Sequence, residues 1–241
     1  NFDFPSDINS VFHLANIAND PSVELNEKLS WEVNVLAGYK LIEKCVGLKI
    51  KKFIFASSGS VYGLKSEGKV TEDLSLVPIS AYNKTKMIAE RVFNSFEKDI
   101  EVFNIRPATV CGVSERMRLD ISVNMLTYQA IKNKKIKVFG GEQIRPNIHI
   151  DDLVDIYLYF LSNDIPSGTY NAGFENLKII EIAEMIKKMT NAEVEIIKNS
   201  NDPRSYRLSS EKLLNTGYKP KKNVKKGIEE LYELYIKNLN S

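Results

Sequence analysis

The chain has 241 residues, 43% of them hydrophobic and 27% charged, with a formal net charge of +2. This is the composition of an ordinary soluble globular protein that can bury a sizeable core. Lys and Glu are interspersed and no apolar run approaches the ~20 residues of a membrane helix, so the sequence carries no nucleic-acid or membrane footprint.

Asn1-Phe2-Asp3-Phe4-Pro5 lacks the basic-then-apolar pattern of a signal peptide. Cys45 and Cys111 read as buried free thiols in a reducing compartment, which points to the cytoplasm. Two histidines without a cysteine cluster argue against a zinc site.

Short β-rich runs alternate with longer helical patterns, as in an α/β fold with a mainly parallel sheet. Ser10 to Ala15 reads as a buried strand. The spacing of Leu25, Leu29, Val33 and Leu36 then predicts one long helix from about Val23 to Val46, ended by Gly47. Phe53 to Ala56 is the next strand, running into the turn Ser57-Ser58-Gly59-Ser60-Val61-Tyr62-Gly63. A helix follows over about Ala81 to Glu97, and then a strand over Glu101 to Arg106 that Pro107 stops.

Farther on, the patterns predict a helix over Asp120 to Lys132, a strand over Ile136 to Phe139 and a short strand at Ile148 to Ile150. A helix from Asp151 to Leu161, capped by Asp151 or Asp152, comes next. Gly168 to Gly173 is a strand. The remainder gives a helix at Ile179 to Met189, a strand at Val194 to Ile197, a helix near Ser210 to Leu214 and a last helix at Val224 to Leu239.

A doubly wound sheet opens with strand, Gly-rich turn, helix and strand, and seats a dinucleotide pyrophosphate on that turn. No G-x-G-x-x-G occurs in this sequence, which runs straight into what reads as the fourth strand of such a sheet. Two βαβ units sharing a strand amount to roughly 60 residues. Their loss would leave the Val11 to Ala15 strand as an apolar edge. The N-terminal Gly-rich βαβ portion is therefore expected to be absent from this sequence.

The most informative residues are Tyr82 and Lys86, one helical turn apart, downstream of Ser58 at a strand end. An ammonium one turn from a phenol favours the phenolate, which can take a proton from a substrate hydroxyl. Ser58 would hydrogen-bond the same oxygen. An isolated Y-x-x-x-K is usually a helix start with a solvated lysine; the surrounding motifs argue otherwise. Tyr62 lacks a lysine four residues on, and His13 reads as a core histidine.

The order His13-Leu14-Ala15, Ser58 with Val61-Tyr62-Gly63, Tyr82-x-x-x-Lys86, Arg106-Pro107, and Arg145 before Ile148-His149-Ile150-Asp151-Asp152 resembles the extended short-chain dehydrogenase/reductases. These are NAD(P)-dependent sugar-nucleotide epimerases, dehydratases and reductases. The resemblance implies an α/β, Rossmann-like doubly wound parallel sheet with a smaller α/β substrate-binding domain. Residues 1–112 and 147–173 would form the cofactor part, and 113–146 with 174–241 the substrate part.

The resemblance also implies NAD as cofactor, with NADP left open, a nucleotide-sugar substrate and a homodimer through a four-helix interface. Catalysis would fall to Ser58, Tyr82 and Lys86. The cofactor would meet Leu14, Ala15, Asn16, Ala56, Ser57, Tyr82, Lys86, Pro107 and Thr109. Ser58, Ser60, Arg118, Asn124, Arg145 and Arg204 would face the substrate, the arginines suiting its diphosphate. For Arg145 and Arg204 a surface salt bridge is the alternative, and for Arg116 and Arg118 a solvated charged turn. His149 to Asp152 reads as structural.

The family's 4,6-dehydratases usually carry an Asp-Glu pair after the catalytic hydroxyl, where this chain has Gly59 and Ser60. That disfavours dehydration and favours a 4-epimerase-like reaction through transient C4 oxidation. A 4-ketoreductase or C4 dehydrogenase stays open. So does a catalytically silent binding or regulatory relative, should the Gly-rich loop be truly lacking.

Overall fold

The computed structural model describes residues 4–5, 7–198 and 205–239. In chain order the strands are β1 (Ser10–His13), β2 (Lys52–Ala56), β3 (Glu101–Pro107), β4 (Thr109–Cys111), β5 (Lys135–Phe139), β6 (Ile144–His149), β7 (Gly168–Ala172), β8 (Glu175–Lys178) and β9 (Glu193–Ile197). The α-helices are α1 (Asp20–Glu24), α2 (Glu27–Trp31), α3 (Ala37–Gly47), α4 (Ala81–Asn94), α5 (Ser122–Asn133), α6 (Ile150–Ser162), α7 (Ile179–Thr190), α8 (Glu211–Leu214) and α9 (Val224–Leu239). The chain divides into two units, one of residues 1–63, 72–107 and 157–171, the other of 64–71, 108–156 and 172–241.

The first unit holds a sheet of order β1-β2-β3-β7, in which β1 pairs parallel with β2, and β2 with β3. Alternation along the strands sends side chains to two faces. Phe53, Phe55 and Val102 meet Ile42 and Cys45 of α3 and Ala89 and Phe93 of α4 on one face. Phe103 points the other way, 5.2 Å from the ring of Phe160 on α6, which in turn lies 4.9 Å from Tyr170 on β7. Helices therefore cover both faces of this parallel sheet.

The second unit packs α5, α7 and α9 around Ile136 and Val138 of β5, with Leu126, Ile182, Ile186, Ile228 and Leu231 at the centre. β5 pairs parallel with β9, and β6 lies between β4, parallel to it, and β8, antiparallel. The brief strands β4 and β8 carry no periodic signal and were not expected; both exist by pairing with β6.

The single helix expected over residues 23–46 is broken. Asn19 caps α1 through Ser22 N–H at 2.9 Å, and Asn26 caps α2 through Leu29 N–H at 3.0 Å, restarting the helix after Leu25. Residues Glu32–Leu36 form a π-helical turn, with Ala37 N–H bonded to the Glu32 carbonyl. The cap expected from Asp151 or Asp152 comes instead from His149, whose Nδ1 accepts from Asp151 N–H at 3.1 Å. Asp152 is buried and accepts the amides of Lys221 and Lys222 at 2.9 and 3.1 Å. Both cysteines are buried and free, and burial pushes the Cys45 thiol up to about 11 and Cys111 to about 12.

Candidate active site

In a parallel sheet the carboxyl ends of the strands lie together, which is where open α/β sheets bind ligands. The register aligns His13 with Phe55 and Ala56 with Ile105, so Leu14 to Asn16, Ala56 to Ser58 and Pro107 all leave the first unit's sheet at one edge. Leu14 and Ala15 are exposed there. Asn16 donates to the Ala15 carbonyl at 2.6 Å and keeps a buried, unpaired Oδ1.

Ser58 is extended and caps the 3-10 turn Gly59–Tyr62, with Ser60 N–H on its Oγ at 3.2 Å. Its hydroxyl also lies 2.7 Å from that of Ser60, which donates to Asn83 Oδ1 at 2.6 Å. Gly63 closes the turn at φ 70, and a Cβ there would stand 1.9 Å from the Val77 carbonyl oxygen, so only glycine fits.

Helix α4 begins at Ser80, whose Oγ accepts from Asn83 N–H at 3.2 Å and donates to Asp20 at 2.6 Å. Its second residue is Tyr82. Lys86, one turn on, is only 3% exposed. The Lys86 ammonium donates to the Ala56 carbonyl at 2.6 Å and sits 4.7 Å above the Phe55 ring and 5.9 Å from the Tyr82 ring. Burial draws it down to about 7, against the upward pull of Glu90. One acceptor for three N–H donors leaves a buried cation under-satisfied; this is a position that fits the hydroxyls of a bound ligand.

One further turn along, buried Glu90 takes Arg106 in a bidentate pair at 2.9 and 2.6 Å and accepts the Ser57 hydroxyl through a short bond. Arg106 also donates to the Tyr62 phenol at 2.7 Å, which donates to Asn171 Oδ1 at 2.8 Å. Burial pushes Tyr62 up to about 12, the behaviour of a structural phenol and not of a base.

Sequence reasoning missed three residues here. Glu90 is found by following the Tyr82/Lys86 face one more turn. Asn83, next to Tyr82, carries a buried unpaired Nδ2. Asn34, at the centre of the π turn, accepts from Ile17 N–H at 2.8 Å and donates to the Ile17 carbonyl at 3.0 Å and to Thr85 at 3.1 Å. Its signal was a polar residue inside an apolar stripe.

Thr109, Arg118, Asn124 and Arg145 belong to the second unit, Thr109 in β4. In that unit Asn124 is buried and clamps Gly112, accepting its N–H at 3.1 Å and donating to its carbonyl at 3.2 Å. Arg118 is forked onto Asp120 at 2.7 and 2.6 Å, and Arg116 is exposed nearby. Arg145 is half-buried on β6 and donates to the Ile144 carbonyl at 3.2 Å. Arg204 lies outside the described residues. His149, Asp151 and Glu230 bring ligand-type atoms within 4.8 Å of one another. Lys222 donates to both carboxylates, at 2.6 and 2.7 Å, and so already supplies the cation there.

Residues 2–173 match the family model described as the NAD dependent epimerase/dehydratase family. The chain belongs to that family. Its relatives within the NAD-dependent epimerase/dehydratase family include the uncharacterized UDP-glucose epimerase YtcB of Bacillus subtilis, 32% identical over 76% of this chain and 59% of that protein. The human dTDP-D-glucose 4,6-dehydratase is 28% identical over 87% of this chain and 63% of its own length. The chain thus spans about three-fifths of these curated relatives. Among solved structures, the UDP-glucuronic acid 4-epimerase of Bacillus cereus, in complex with UDP-glucuronic acid and NAD, superposes with a TM-score of 0.83 at 30% identity, covering 97% of this chain and 76% of that one. The family fold is the Rossmann-like parallel sheet found in the first unit. Among the described residues no helix is long and apolar enough to cross a membrane.

Proposed function

We propose that the protein is an NAD-dependent sugar-nucleotide 4-epimerase, acting by transient oxidation at the sugar C4. The observation that carries this reading is that Lys86, one turn from Tyr82, holds the Ala56 carbonyl at the strand end leading into Ser58, and that Gly59 and Ser60, not carboxylates, follow Ser58. Gly59 has no side chain, and the Ser60 hydroxyl is held in the chain from Ser58 to Asn83. A dehydratase needs a further acid and base at such positions; an epimerase does not.

A nicotinamide dinucleotide, when bound, supplies a reversible hydride acceptor. Leu14, Ala15, Asn16, Ala56, Ser57 and Pro107 line the edge that would hold it, Thr109 being the further candidate, and the under-satisfied Lys86 ammonium fits its hydroxyls. Tyr82 takes the proton from the sugar hydroxyl and later returns it, the phenolate being favoured by Lys86. Ser58 orients the same oxygen. Arg118, Arg145, Arg204, Asn124 and Ser60 are the proposed substrate contacts, with the arginines suited to a diphosphate. Arg118 would first have to release Asp120. Both relatives named for an epimerase of UDP-sugars support a uridine nucleotide as the first substrate to try.

Incubation with NAD and a panel of UDP- and dTDP-hexoses, with products followed by NMR, tests this. A C4 epimer without net change in cofactor absorbance is expected. A 4-keto-6-deoxy product would make it a dehydratase, and net cofactor turnover a dehydrogenase or ketoreductase.

A further inference from the structure

Helix α4 presents Tyr82, Lys86 and Glu90 at successive turns, so the three side chains share one face. The last two hold consecutive residues of the β2 end: Lys86 takes the Ala56 carbonyl and Glu90 the Ser57 hydroxyl. Ser57 is also pinned by its own N–H, which donates to the Ile105 carbonyl at 2.8 Å. Ser58 follows directly. Glu90 is thus joined to the proposed catalytic hydroxyl through one residue, and to the proposed catalytic lysine through one helical turn.

We infer that Glu90 is a positioning residue for the proposed reaction: it fixes Ser57, and with it the Ser58 hydroxyl, while serving as counter-ion to the Lys86 ammonium. The inference rests on the epimerase reading only for its effect on turnover.

Among the described residues, the titratable groups facing Lys86 are Tyr82 and Glu90 on α4 and His13 on β1, with Arg106 of β3 behind Glu90. Burial draws His13 down to about 4, which leaves it neutral. Glu90 is therefore the anion available to Lys86. Removing its charge leaves the Arg106 guanidinium unpaired in the same low-dielectric region, which disfavours a second cation there.

The test uses the full chain labelled with 13C and 15N lysine. Glu90→Gln keeps the shape of the side chain and deletes its charge. The Lys86 titration midpoint is expected to fall by about one pH unit or more, the size of effect an adjacent opposite charge has. With turnover measured, kcat should fall about tenfold or more at unchanged KM, and the alkaline limb of the pH profile should move to lower pH. A wild-type Lys86 midpoint in this variant overturns the counter-ion role, whatever reaction the protein performs. Ser57→Ala leaves the Glu90–Arg106 pair intact and so folds independently of the first variant's fate. It should keep the Lys86 midpoint and lower kcat about tenfold; wild-type kcat in Ser57→Ala overturns the positioning role.

Discussion

Ser60 donates its hydroxyl to Asn83 at 2.6 Å, which ties the residue two beyond Ser58 to the residue directly after Tyr82. With Asn83 Oδ1 as the acceptor, the Ser58 hydroxyl is left to donate to Ser60. One of its lone pairs takes the Ser60 N–H, and the other is left for a substrate O–H. Ser60→Ala frees the Ser58 rotor, and Asn83→Ala leaves Ser60 without its acceptor. Each is expected to lower kcat about fivefold, the value of one neutral hydrogen bond, as read in steady-state kinetics. Ser58→Ala should lower it about a hundredfold to a thousandfold.

Tyr82→Phe removes the proton-transfer group and little else. Turnover should drop by about a hundredfold to ten-thousandfold, while titration of NAD by fluorescence gives wild-type affinity. Turnover at the wild-type rate would transfer the acid/base role to another group.

His13 stands between the rings of Phe53, Phe55 and Phe93, at 5.8, 5.5 and 5.7 Å, with its Nε2 buried and unpaired. Burial, with Lys86 adding, lowers it from 6.5 to about 4. Between those values the unfolded chain binds more protons, so stability is whole above about pH 6.5 and lost as pH falls toward 4. The loss amounts to about 3 kcal/mol. His13→Phe should flatten the acid side of a urea-melt series from pH 7 to 4; an unchanged slope would show that His13 is not its source.

Gly63→Ala places a methyl on the Val77 carbonyl and forces a positive φ on a side-chain-bearing residue. A loss of at least about 1–3 kcal/mol is expected, read as a fall in Tm of about 2 °C or more.

The outer side of α1 to α3 exposes Leu25 at 88%, Leu29 at 43% and Leu36 at 56%, with Tyr39 beside them. The homodimer expected from the sequence, with its four-helix interface, would cover these apolar groups. Sedimentation should give twice the 27.4 kDa chain mass, and Leu36→Asp should return the monomer. A wild-type monomer at micromolar concentration would overturn the expected dimer.

The parts of the site legible in the sequence are those built from local pattern. Tyr82 and Lys86 are set by helical spacing, and Ser58 by its place where an apolar run meets a turn. Glu90 lies on the same helical face one turn beyond Lys86, but its partners Ser57 and Arg106 come from the ends of two strands, which helical spacing does not reveal. Asn34 showed only as a polar residue inside an apolar stripe, because its role depends on a π turn that apolar spacing does not encode. The Asx cap at Asn26 was visible as a residue, but the apolar period across it was strong enough to suggest one helix. His149 took the cap from Asp151 because its imidazole, at the strand end, reaches back to the first turn.

The widened turn at Glu32–Leu36 acts as a one-residue insertion in an otherwise α-helical rod. Each residue of an α-helix advances the azimuth by about 100°. Deleting one residue from this turn would restore ordinary winding but swing the preceding helix by that angle relative to α3. Asn34 would lose Thr85 and Ile17, and the apolar outer side of α2 would turn away from that of α3. The segment is therefore a phase-setter: it decides which side of the rod looks inward at α4 and which looks out.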